Sequence, residues 1–208
     1  MLDDDQFCSF LNKITAFIWA YAVTNPGVNA LRTPMYAEMV NIVNGLPVTF
    51  DGFRFDVQAV TNMFNNYVFS NNRTITRSML TWWAYQDEEQ ALLPLESRLD
   101  IEHIFPRGRQ DKEHSLSNVR NLEALGNKAL LEKRINISAS DYRFADKIKY
   151  YKGYVNARKQ MKEGTRIKEL LDFANSRVDF QEKDIVQRTA SIIFAFTEYL
   201  GQNNLVLE

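Results

Sequence analysis

The sequence predicts a mainly α-helical fold carrying one small β-hairpin, and three observations lead there. Apolar residues recur at helical intervals through most of the chain. One stretch, residues 98–105, instead alternates Leu99, Ile101 and His103 against Asp100, Glu102 and Ile104, the period of a strand. Pro106 ends that stretch, and after a polar loop a second apolar run at 127–131 offers a return strand. With 208 residues, 45% hydrophobic and 12% aromatic, the chain has ample material for a core. The expected organisation is an N-terminal helical region at 1–96, a hairpin-bearing core at 97–152, and C-terminal helices at 153–208 packing on the same body.

Taken in order, residues 6–23 place Phe7, Phe10, Leu11, Ile14, Phe17, Ile18 and Tyr21 along one helical stripe, closed by Asn25-Pro26-Gly27. Thr33-Pro34 opens a second helix, with Met35, Met39, Ile42 and Val43 expected inward up to Gly45-Leu46-Pro47, since proline is tolerated in a first turn. Residues 57–69 and 74–86 read as helices. The latter carries Trp82 and Trp83, a pair expected to be half core and half rim. Residues 107–120 read as a polar loop, and a helix starting between 138 and 141 presents Phe144, Ile148 and Tyr151 on one face. Residues 162–176 and 184–200 complete the helices, with Gly201 as the stop.

The formal net charge is −1, yet its distribution is uneven. Residues 1–96 carry five Lys+Arg against ten Asp+Glu, whereas residues 98–168 carry seventeen against nine. A phosphate backbone would meet cations in that second window. Cys8 is the single cysteine, which excludes an internal disulfide and a CxxC zinc pair. No run of about 18 uncharged apolar residues exists, and Asp3-Asp4-Asp5 stands where a signal peptide would be basic. A soluble cytoplasmic chain with no membrane partner is expected. Neither a Gly-rich phosphate loop nor a Ser or Cys nucleophile motif is present.

The informative segment is Asp100-Ile-Glu102-His103-Ile-Phe-Pro106, followed by Leu125-Gly126-Asn127-Lys-Ala-Leu-Leu131, Asn136 and Phe144-Ala-Asp-Lys147. A carboxylate beside a histidine at a strand end, with asparagines returning on a second strand and a helix, is an inventory suited to metal-assisted phosphodiester hydrolysis. These motifs resemble the HNH, or ββα-metal, nuclease superfamily. More closely, they resemble the C-terminal nuclease domain of GmrSD-type modification-dependent restriction enzymes, as does the later Asp184-Ile-Val-Gln-Arg188. The motifs span about a quarter of the chain. The fold then implied is a helical domain enclosing a ββα-metal (HNH) core.

The resemblance implies a metal-dependent DNA endonuclease, acting in defence or restriction against foreign or modified DNA. His103 would be the general base, since a neutral imidazole is available near pH 7. Glu102 and Asn136 would offer oxygens to a hard divalent cation, Mg2+ or else Mn2+, with no organic cofactor. Asn127 would hold the loop or orient the His103 ring. Asp100 could stand behind metal or base and Lys147 could reach phosphate, although both read first as surface residues. Adjacent Glu102 and His103 should diverge on an ideal strand, so a distorted strand end is expected. Two departures from the family pattern stand out: Glu123-Ala124 occupies a segment where relatives often carry a histidine, and Lys128 replaces an apolar residue. The implied partners are DNA, with RNA as a weaker possibility, and an N-terminal nucleotide-hydrolysing, DNA-sensing domain or subunit, which would make this chain the effector half of a longer protein. The competing reading is an inactive nucleic-acid-binding or protein-interaction module that keeps the scaffold.

Overall fold

The computed structural model of the protein describes residues 3–27 and 29–207. The fold is mainly α-helical with small antiparallel β-hairpins. It divides into two compact units, residues 1–67 with 193–208, and residues 68–192.

The first unit is built on α1 (Asp4–Thr24), α2 (Arg32–Val43) and α3 (Val57–Asn66). Asp3 and Gln6 form a reciprocal capping box at the start of α1, satisfying amides that the first turn leaves orphaned. Phe17 stacks on Phe50 with centroids 3.7 Å apart, and Phe64 meets Phe196 at 5.0 Å. The stripe read in α1 is only partly buried. Ala16, Phe17, Ala20 and Val23 are in the core, while Phe7 and Leu11 are exposed. In α2 the expectation fails: Met39, Ile42 and Val43 face solvent, and the inward residues are Pro34 and Glu38. Glu38 goes inside because its carboxylate accepts the backbone N–H groups of Thr49 and Phe50, which would otherwise be unpaired.

The second unit carries the hairpin. β1 (Leu99–His103) pairs antiparallel with β2 (Lys128–Glu132), from Leu99↔Glu132 to His103↔Lys128. One-to-one pairing persists to the last residue, so the distorted strand end expected at Glu102–His103 is not found. α4 (Thr74–Ala84) packs against β2. Trp82 and Trp83 at its end are half-buried, and the Trp83 indole donates to Glu169 at 2.9 Å.

Four local readings differ from the sequence expectation. The polar loop after Pro106 contains α5 (Arg107–Glu113), whose Gly108 N–H donates to Asp141 Oδ2 at 2.6 Å. The single helix expected after β2 is two, α6 (Lys133–Ala139) and α7 (Phe144–Lys152), so Asn136 already lies on a helix. The stretch from 162 does not begin as helix. β3 (Gly153–Val155) and β4 (Met161–Glu163) form a second hairpin before α8 (Lys168–Ser176), because Gly153 at φ 86° and Gly164 let two backbones approach more closely than a Cβ would allow. Last comes α9 (Glu182–Gln202), which runs through Gly201 rather than stopping at it. Its residues to Ile192 count with the second unit and those from Ile193 with the first. Among the described residues no helix is long and apolar enough to cross a membrane.

Candidate active site

The hairpin, α6 and α7 together shape a cleft of about 280 Å³ lined by Glu102, His103, Arg107, Asn136, Asp141 and Lys147, among others. β1 supplies Glu102 and His103 at its end. Because α6 starts directly after β2, it brings Asn136 to the same cleft. About one turn of α7 further on from Lys147 stands Tyr151, on the same buried face of that helix.

Glu102 is 3% exposed and its Oε1 accepts two hydrogen bonds, from Lys147 Nζ at 2.7 Å and from the Tyr151 hydroxyl at 2.6 Å. Lys147 Nζ also donates to the His103 carbonyl at 2.7 Å. The surface placement expected for Lys147 is therefore wrong: it is 1% exposed. Burial raises the Glu102 carboxyl above its ordinary range, with the charge of Lys147 pulling the other way. Burial and the Glu102 charge push the Tyr151 phenol well up, so it remains a donor.

His103 sits beside a second charge cluster. Its Nε2 is buried with no hydrogen-bond partner, 3.5 Å from Glu123 Oε1. Glu123 in turn accepts from Lys128 Nζ at 2.7 Å and from the Arg107 guanidinium. Lys128 is fully buried and also donates to Asn71 Oδ1 at 2.6 Å. Burial, followed by the charges of Lys128 and Arg107, lowers the His103 imidazole to about 4. Burial alone would raise Glu123, but its bond from Lys128 leaves it below the usual carboxylate range. The shift favours the neutral ring, whose free lone pair can accept a proton, and makes it a weaker base than a solvent-exposed imidazole.

Asn127 is fully buried and holds the loop after β1. Its Oδ1 accepts the Phe105 N–H at 2.7 Å, and its Nδ2 donates to the carbonyls of Phe105 and Leu122, each at 3.1 Å. None of these bonds reaches the His103 ring. The turn carrying Asn127 is itself anchored by α9. Arg188 Nη1 donates to the carbonyls of Leu125, Gly126 and Lys128 at 2.9, 3.1 and 2.7 Å, while its remaining nitrogens grip Glu169. Gly126 lies so close to α9 that a Cβ there would come within 2.0 Å of the Ile185 carbonyl oxygen.

Asp100 is half-buried on the Glu102 face of β1 and does not line the cleft. Among the described residues, no three His, Cys, Asp or Glu side chains cluster to hold a metal ion. The oxygens at hand for one are those of Glu102, whose Oε2 lies outside the bonds from Lys147 and Tyr151, and the Asn136 amide. Both face the same cleft, and a carboxylate with an amide oxygen suits a hard cation that completes its shell with water and phosphate.

Residues 56–194 match the family model of the GmrSD restriction endonucleases, C-terminal domain. The chain belongs to that family. No curated relative and no solved structure matches it. The GmrSD C-terminal domain is a restriction-type nuclease domain, and its match contains the hairpin, α6, α7 and Arg188 whole. The residues that sequence reasoning missed in this GmrSD domain are Tyr151, Glu123, Lys128 and Arg188 in its anchoring role. A signal existed for three of them. Glu123 stands where relatives often carry a histidine, Lys128 interrupts an apolar strand, and Arg188 stands on the apolar helix already tied to the family.

Proposed function

We propose that the chain is a metal-dependent DNA endonuclease of HNH type, the effector of a defence or restriction system acting on foreign or modified DNA inside the cytoplasm. The observation that carries this reading is the convergence on one cleft of His103 with the Glu102 and Asn136 oxygens. The catalytic core would lie at 97–152.

In this reading His103 accepts a proton from the attacking water. Glu102 and Asn136 hold a divalent cation, Mg2+ or Mn2+, which when bound supplies charge neutralisation at the scissile phosphate and leaving oxygen. Lys147 keeps the Glu102 carboxylate and the His103 backbone in fixed relation, and Arg107 at the cleft edge meets a phosphate oxygen. Asn127 keeps the His103–Phe105 backbone in place. Two protein oxygens alone bind magnesium weakly, so affinity should rise when a DNA phosphate adds ligands. Recognition of the modified base would belong to an N-terminal nucleotide-hydrolysing partner.

The test is plasmid cleavage with magnesium or manganese by the purified chain and by His103→Ala, with folding matched by circular dichroism. Loss of cleavage in the variant supports the reading, and equal cleavage by both would abolish it. DNA and RNA compared side by side fix the substrate class. One observation favours a second reading, an inactive binding module: Lys147 already neutralises Glu102. That reading predicts DNA affinity unchanged in His103→Ala and no turnover in either protein.

A further inference from the structure

We propose that Glu123 is the positioning residue for His103: its carboxylate faces the buried Nε2 and holds the imidazole as the Nε2–H tautomer, leaving Nδ1 with the lone pair. The task assigned to Nδ1, taking a proton from water, rests on the nuclease reading above; the orientation of the ring does not.

The argument begins with the orphaned nitrogen. A neutral imidazole has one N–H donor and one lone pair, and the tautomer follows the partner each nitrogen meets. Nε2 makes no hydrogen bond and is sealed from solvent, so the 12% of the side chain that stays exposed lies elsewhere on the ring. The group facing Nε2 is Glu123 Oε1 at 3.5 Å. A carboxylate oxygen offers only lone pairs. An Nε2 lone pair pointed at it would be repelled, whereas an Nε2–H is attracted even at this separation. Such contacts are often long before substrate binds.

The carboxylate is in no position to turn away. Lys128 holds its Oε2 at 2.7 Å and is itself fixed by Asn71 at 2.6 Å, while Arg107 takes Oε1. The other charges that act most strongly on the ring are cations, Lys128, Arg107 and Lys147, the last bonded to the His103 carbonyl. None of the three can accept a hydrogen bond from Nε2. Lys128, out of place in an apolar strand, therefore has a reason to be there. It anchors the residue that orients the base, and the two departures from the family motif, Glu123 and Lys128, are parts of one device.

The experiment uses the full chain labelled with 15N, near pH 7. The sequence has two histidines, His103 and His114, so His114→Gln assigns the ring signals in a long-range 15N–1H correlation. The Nε2–H pattern is expected for His103; an Nδ1–H pattern, or equal amounts of both, would overturn the proposal. Glu123→Leu leaves Nε2 facing no acceptor. It should move His103 toward Nδ1–H and lower kcat for DNA cleavage by about tenfold to a hundredfold with KM unchanged. An unchanged tautomer in that variant would also overturn the proposal. Should Glu123→Leu fail to fold, the wild-type spectrum still decides. Absence of cleavage by the wild-type chain would sink the nuclease reading alone, and an Nδ1–H pattern the Glu123 assignment alone.

Discussion

Lys147 Nζ lies 2.7 Å from Glu102 Oε1 and 2.7 Å from the carbonyl oxygen of His103, so one side chain from α7 fixes both residues of the Glu–His pair. Removing it leaves a carboxylate that is 3% exposed without its countercharge. Lys147→Met should cost about 3 kcal/mol in urea denaturation. Glu102→Gln combined with Lys147→Met should lose clearly less than the sum of the two single changes. Additive losses would mean that the two side chains do not act as a pair.

Asn127→Ala strips three bonds from a fully buried amide. The loss should be about 3 kcal/mol, and the Phe105 amide, now without its acceptor, should exchange with deuterium markedly faster. Protection of Phe105 unchanged from wild type would show that something else holds the loop.

Acid should weaken the fold through His103. Burial, then Lys128 and Arg107, lowers its pKa from 6.5 to about 4. Between those values the unfolded chain binds a proton that the folded chain does not, so stability is whole above pH 6.5 and falls as pH drops through the window. The full loss amounts to about 3 kcal/mol. Compared with wild type, His103→Gln should show a flatter stability profile from pH 6.5 to 4. Parallel profiles would remove His103 as the source.

Gly126→Ala forces a methyl to within 2.0 Å of the Ile185 carbonyl and 2.3 Å of Thr189 Oγ1. Because a backbone atom is involved, the clash cannot be relieved by a rotamer change. Destabilisation of about 3 kcal/mol is expected by thermal or urea melting, and a neutral substitution would contradict this packing.

The sequence spoke clearly where local chemistry governs. Alternation at 98–105 and the stop at Pro106 located β1 to within two residues, because strand period and proline act over neighbours. The cleft residues Glu102, His103 and Asn136 were legible for the same reason, as short motifs. What escaped was decided at a distance. Lys147 and Lys128 look like surface residues by type; Lys147 is buried against Glu102, 45 positions away, and Lys128 is buried between nearby Glu123 and Asn71, 57 positions away. Met39, Ile42 and Val43 look like core by type, yet Glu38 took the inward face of α2 because two amides needed an acceptor.

Arg188 ties three carbonyls of the 125–128 turn to α9 across some sixty residues of chain. The 125–128 turn therefore depends on a residue beyond its own neighbourhood. A chain truncated ahead of Arg188 would leave those three carbonyls without their donor, and the turn from which Asn127 fixes the Phe105 backbone would lose its outer support.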